Sequence, residues 1–262
     1  MAIPLYGQNK QGGQLKGLID SKRIYDFANP PIVIDDAVYG GAATLPDGAL
    51  NSVCTHLYDD GLCLSVHWTV ASTVDGPEID ADGINYEADD TDDDGIQWVM
   101  ARAGSKGRTG INQFTVGGPA FYAKLRMDIG TVGSTDDCHF GFRLKSQAFQ
   151  TAVTSYTDFA SLNVDNGDIK AESNINNDGA ESTDTTDNAG NGVAVTYEVR
   201  VAASGAVTFK IDGNDPTVNT QTQTFDEGDV VTPFWSMTKD DSAACNPTLR
   251  SLEVGYLVDI NN

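Results

Sequence analysis

The feature that most constrains this chain is a period of two. In Phe121–Ile129, the residues Phe121, Ala123, Leu125, Met127 and Ile129 fall on one side of an extended backbone, and Tyr122, Lys124, Arg126 and Asp128 fall on the other. A helix stripe needs apolar residues three and four apart, so this spacing predicts a half-buried antiparallel strand with one wet face. The pattern recurs where Cys138, Phe140, Phe142 and Leu144 alternate with His139, Gly141 and Arg143. Leu162 and Val164 run into Asn166-Gly167, a dipeptide that tolerates positive φ at both positions, and the chain returns through Ile169 and Ala171. A second hairpin joins Tyr197, Val199 and Val201 through Ser204-Gly205 to Val207, Phe209 and Ile211, ending at Asp212-Gly213. Leu252, Val254, Tyr256, Val258 and Ile260 line one side of a last strand. Residues 174–192, rich in Asn, Asp, Thr and Gly, read as a long polar loop of the kind that sits at a contact surface.

No stretch sustains a helical period, and about a dozen one-sided strands must pair as two facing sheets or close as a barrel. The sandwich is the expectation: an all-β fold with residues 36–262 as the body. Residues 1–35 read as an extended N-terminal arm, punctuated by Gly12-Gly13, Gly17 and Pro30-Pro31. A length of 262 residues, 40% of them hydrophobic, is ample for a core and excludes a disordered chain. No apolar run approaches the roughly 18 residues a membrane helix needs. The opening residues lack the charged and apolar regions of a secretory signal, so synthesis in a host cytoplasm is expected.

Charge narrows the partners. With 38 acidic against 16 basic residues the formal charge is -22, which repels phosphate backbones and anionic membrane surfaces, so neither nucleic acid nor membrane is expected. The distribution is uneven. Residues 1–25 hold Lys10, Lys16, Lys22 and Arg23 against Asp20, whereas residues 75–95 hold ten carboxylates and no basic residue. A mildly basic arm before an acidic body predicts attachment through the arm. Ile3, Leu5 and Tyr6 would be the apolar anchors there, and Lys10, Lys16, Lys22 and Arg23 the charge contacts, on another chain or on sister copies of a homo-oligomer.

The run Tyr197-Glu-Val-Arg-Val201, Gly205-Ala-Val-Thr-Phe-Lys-Ile-Asp-Gly213, Phe225, Gly228, Val231-Thr-Pro-Phe-Trp235 and Leu252-Glu-Val254 resembles the second half of a concanavalin-like (laminin-G-like) jelly roll. The likeness spans roughly residues 60–260 and implies a two-sheet antiparallel jelly-roll sandwich. Separately, Ala2-Ile-Pro-Leu-Tyr-Gly-Gln-Asn-Lys10 resembles the start of virion structural proteins of tailed phages of marine bacteria. That second resemblance implies a virion location and a structural or accessory role, as a capsid decoration or head–tail protein contacting the major capsid or other virion proteins. The alternative is a carbohydrate-binding module for host-surface glycans, with Trp98, Trp235 and Tyr122 as candidate sugar platforms, although burial in the core suits the two tryptophans better.

Enzyme chemistry has one foothold. Glu78-Ile-Asp-Ala-Asp82 is similar to the Glu-x-Asp-x-Glu strand of concanavalin-like glycoside hydrolases. Its Cα positions i and i+4 lie about 13 Å apart, while a retaining mechanism needs carboxyls roughly 5–5.5 Å apart. Asp82 is one methylene short, and Gly76-Pro77 and Gly83 suit a loop, so no catalysis is expected. Asp90-Thr-Asp-Asp-Asp-Gly95 matches the first half of a calcium loop and makes Asp90, Asp92 and Asp94 candidate ligands for calcium; Ala101 at the closing position excludes an EF-hand. His56, His67 and His139 do not stand at metal-binding spacings, and His67 reads as sheet decoration. Cys54, Cys63, Cys138 and Cys245 form no Cys-x-x-Cys pair, so a structural zinc is not expected, and Cys138 should pack as a small apolar group.

Overall fold

The computed structural model is nearly all β. In chain order the strands are β1 Arg23–Asp26, β2 Ile32–Ile34, β3 Val53–Tyr58, β4 Cys63–Trp68, β5 Glu78–Ile79, β6 Ile84–Asn85, β7 Gly95–Val99, β8 Phe114–Thr115, β9 Phe121–Ile129, β10 Thr135–Leu144, β11 Phe159–Asp165, β12 Asp168–Asn174, β13 Glu181–Asn188, β14 Val195–Val201, β15 Val207–Ile211, β16 Val230–Lys239 and β17 Pro247–Tyr256. Besides the backbones of β1 to β5, the structure describes residues 82–86, 95–100, 113–147, 150, 152–218, 223–239 and 245–257. Two antiparallel sheets result. The seven-stranded sheet runs β15-β14-β9-β17-β6-β5 with β1 also on β17. The ten-stranded sheet runs β13-β12-β11-β10-β16-β7-β4-β3-β2 with β8 on β16. No helix among the described residues is long and apolar enough to cross a membrane.

The sheets face each other as the period of two requires. Phe121, Ala123, Leu125, Met127 and Ile129 of β9 meet Cys138, Phe140 and Phe142 of β10 in one core, all at most 2% exposed. Burying aromatic and aliphatic side chains at about 1.5–3 kcal/mol each drives this closure. Rings lock the layers: Phe121 lies 4.6 Å from Phe114 and 5.2 Å from Phe142. Trp235 sits 5.1 Å from Tyr86 and 6.3 Å from Trp98. Cys138 and Cys245 pack in this core without a disulfide, Cys138 beside Met127 and Cys245 beside Met237.

Both hairpins form where the turn dipeptides place them. Asn166 and Gly167 take φ of 49° and 94°, the left-handed values a type I′ turn demands, and Asp165 then pairs with Asp168.

Three segments differ from the sequence reading. Residues 174–192 are not one loop, because 181–188 form the edge strand β13. Its two faces are mostly wet and only Thr185 is fully buried, so no apolar alternation could announce it. The last strand begins at Pro247, five residues earlier than Leu252, and an irregular register between Leu249 and Ser251 hides that start from the alternation. Within the stretch read as an arm, β1 pairs with β17, Arg23 opposite Val254, and β2 pairs with β3.

The outer faces of the two sheets carry different chemistry. On the seven-stranded sheet charges pair between and along strands: Lys124 with Glu253 at 3.3 Å and Arg250 with Asp128 at 2.5 Å between β9 and β17, Arg200 with Glu198 at 2.5 Å within β14, and Arg250 also with Asp82 at 3.6 Å. On the ten-stranded sheet, the segment following β10 folds back over part of the face. Val153, Tyr156, Phe159, Phe234 and Val99 form a small second core there. The Tyr156 hydroxyl donates to Gln97 Oε1 at 2.8 Å, which ties the segment to β7.

Candidate metal centre

Beside that small second core the outer face turns polar. Alternation along β10 sends Asp137 and His139 away from the main core, opposite to Cys138 and Phe140. Register then delivers their neighbours: His139 pairs with Asn163 of β11, Gly141 with Ser161, and Ser161 with Glu172 of β12. Gly141 makes this close approach possible, because a Cβ there would lie 2.0 Å from the Ala160 carbonyl oxygen.

Asp137, His139 and Glu172 consequently converge, with one ligand atom from each lying within 4.8 Å of the others. His139 is fully buried, and its Nε2 stands 3.6 Å from Asp137 Oδ1 and 3.9 Å from Glu172 Oε2. Both separations exceed hydrogen-bond length, and Nε2 has no hydrogen-bond partner.

Each of the three side chains is held by another residue. Ser161 Oγ lies 3.0 Å from His139 Nδ1, which orients the ring. Asn163 donates through Nδ2 to Asp137 Oδ1 at 2.5 Å while its Oδ1 accepts the Cys138 amide at 2.8 Å. Ser182 Oγ donates to Glu172 Oε1 at 2.8 Å, leaving Oε2 to face the imidazole. Phe159 closes one side as an apolar wall, its ring edge-on to His139 at 6.2 Å.

Burial alone would raise the Asp137 carboxyl, but His139, Asn163 and the Lys170 charge outweigh it and hold that carboxyl below its ordinary range. Lys170 forms an ion pair with Asp165. That pairing pushes the Lys170 ammonium up against the effect of burial, and Glu172 and Asp137 add to it. With the imidazole neutral, the carboxylates of Asp137, Glu172 and Asp165 exceed the single ammonium by two negative charges. Two species satisfy such an arrangement: an imidazolium bridging both acids, or a cation seated on Nε2.

The sequence missed this cluster because its members share no local spacing. Asp137-Cys-His139 does place two of them on one face, but Glu172 lies two strands away. Trp98 and Trp235 are wholly inside the core, as their core reading expected, whereas Tyr122 is corrected as a sugar platform: it is 7% exposed and donates its hydroxyl to Glu253 Oε1 at 2.5 Å. Alternation places the tryptophans on the inner faces of β7 and β16. Asp82 is exposed and ion-paired to Arg250, while Glu78 opens the two-residue β5. The candidate calcium ligands Asp90, Asp92 and Asp94 lie outside the described residues, as do Ile3, Leu5, Tyr6, Lys10, Lys16 and Lys22. Arg23 is the first residue of β1.

No protein-family model matches this sequence, and no curated protein does. Solved structures match its fold. The metal-free carbohydrate recognition domain of Emp46p aligns with 74% of this chain and 89% of its own length, at TM-score 0.51 and 8% identity. The apo Crh5 transglycosylase aligns with 92% of this chain and 86% of its own, at TM-score 0.50 and 12% identity. The receptor-binding domain of botulinum neurotoxin D covers 78% of this chain at TM-score 0.46 and 13% identity, and this chain spans 47% of that structure. The fold is thus a lectin-like jelly-roll sandwich, at identities where likeness speaks for architecture and not for activity.

Proposed function

We propose that this chain is a lectin-like binding module whose ligand is a glycan, engaged at the polar end of the outer face of the ten-stranded sheet. One observation carries the reading. Asp137, Asp165, Lys170 and Asp184 present carboxylates and an ammonium from four adjacent strands, all at least partly exposed. Asn163 and Ser182 fix Asp137 and Glu172 from beneath and beside. Converging acceptors and donors of fixed direction are what a polyhydroxylated ligand requires. The carbohydrate recognition domain that shares the fold supports the same reading.

Binding is favoured over catalysis for a geometric reason. The facing oxygens of Asp137 and Glu172 lie within 4.8 Å of each other and of His139, closer than the roughly 5–5.5 Å of a retaining carboxyl pair or the roughly 6.5–9.5 Å of an inverting one. Attachment to a virion through the arm rests on residues 1–25, of which Arg23 to Tyr25 alone are described, so the glycan reading is the one the described face supports.

The test is a glycan array followed by titration of the best sugar. Asp165→Asn and Lys170→Ala are each expected to weaken binding about tenfold or more, since a charged hydrogen bond is worth about 1.5–3 kcal/mol. An array blank with both chelator-treated and metal-supplemented protein would end the proposal, as would binding unchanged in both variants.

A further inference from the structure

We infer that Asp137, His139 and Glu172 bind a single divalent ion of the first transition row, zinc or manganese in type. The inference stands independently of the glycan reading. Its geometric core is a fully buried imidazole nitrogen without a hydrogen-bond partner, aimed between two carboxylate oxygens at 3.6 and 3.9 Å. Ligands bound at 2.0–2.1 Å in tetrahedral geometry lie about 3.3 Å apart, so drawing the three side chains in by a few tenths of an ångström seats an ion among them. Leaving such a nitrogen unsatisfied in the interior costs about 1–3 kcal/mol, which a metal bond removes.

The surrounding contacts are those that metal ligands need. Ser161 at Nδ1 accepts the ring proton once Nε2 holds the ion, which sets the tautomer. Ser182 ties Glu172 through Oε1 and leaves Oε2 directed at the imidazole, while Asn163 holds Asp137 by Oδ1, the oxygen that itself faces Nε2. The two excess negative charges of the cluster match a divalent cation, and the Phe159 wall strengthens the attraction by excluding water. Donor type decides the class. One imidazole with two carboxylates suits zinc or manganese, whereas calcium takes six to eight oxygens and no nitrogen. The partly exposed Asp137 marks the open side, where water or a ligand oxygen completes the coordination.

The competing arrangement is a protonated His139 acting as counterion to both acids, and metal titration separates the two. The full chain, stripped with a chelator, is titrated with Zn²⁺ by calorimetry and with Co²⁺ by visible absorption. One equivalent of Zn²⁺ should bind, Co²⁺ should give a d–d band, and millimolar Ca²⁺ should displace neither. His139→Gln should abolish the band. Ser182→Ala and Ser161→Ala, which keep all three ligands, should weaken Zn²⁺ roughly 10–100-fold. If His139→Gln does not fold by circular dichroism, Glu172→Gln decides instead, with a loss of about a hundredfold or more expected. Absence of the cobalt band, displacement by calcium, or Zn²⁺ affinity unchanged in Glu172→Gln and Ser182→Ala would overturn the inference.

Discussion

The outer faces of the two sheets solve the same problem, charged side chains on a flat β surface, in opposite ways. On the seven-stranded sheet Lys124 and Arg250 each meet a carboxylate of the neighbouring strand, Arg200 meets one on its own strand, and the Tyr122 phenol caps Glu253. Each of those groups is met by a partner. On the ten-stranded sheet, carboxylates outnumber the single ammonium beside them, and a buried imidazole points at two acids without touching either. A surface whose charges are mutually satisfied is finished as a structure, while one with aimed, unsatisfied groups is arranged for something that comes from outside.

Substitutions sharpen or break this contrast, beginning with the largest effect. Gly141→Val would drive a side chain into the Ala160 carbonyl and part β10 from β11. A loss of about 3 kcal/mol or more in urea denaturation is expected, together with loss of metal uptake by any molecules that still fold. Full stability in that variant would mean the close strand approach is not what assembles the site. Arg250→Ala leaves the Asp128 carboxylate, 8% exposed, without this partner. It should cost about 1–3 kcal/mol and leave zinc affinity untouched. A change in zinc affinity there would erase the distinction between the faces.

Smaller effects follow on the paired face. Glu253→Gln removes the partner of Lys124, which is one-third exposed, and should cost no more than about 1 kcal/mol. The smallest effect concerns alkaline pH. Burial, then the bond to Glu253, raises the Tyr122 phenol well above its ordinary value. The unfolded chain therefore ionises near pH 10 while the folded one keeps its proton. This group's contribution is complete below about pH 10 and is lost as pH rises beyond it. Tyr122→Phe should flatten the fall in stability between pH 10 and 11, read from melting temperature; an unchanged slope would place the effect on Tyr197 or Tyr156, which are raised by the same cause.

Much of the sandwich was legible because one-sided burial writes a period of two into β9, β10, β14, β15 and β17. β7 escaped, since all five of its residues are buried and alternation vanishes when both faces are covered. β13 escaped for the converse reason, having almost nothing to bury. The site was half legible. Asp137 and His139 share a face by simple alternation, and the Asn166-Gly167 turn fixes the register that sets Ser161 beside Glu172. The connection from β10 to β11, residues 145–158, is too long to fix how those two strands align, so nothing in the sequence could bring His139 to Glu172.

The most direct measurement is an anomalous difference map from crystals grown with Zn²⁺ and collected at the zinc edge. The account expects a peak about 2.0–2.2 Å from His139 Nε2 and from a carboxylate oxygen of each of Asp137 and Glu172, with none on the seven-stranded face. A map with no peak at His139, or with its peak among Glu253, Glu198 and Asp128, would contradict it.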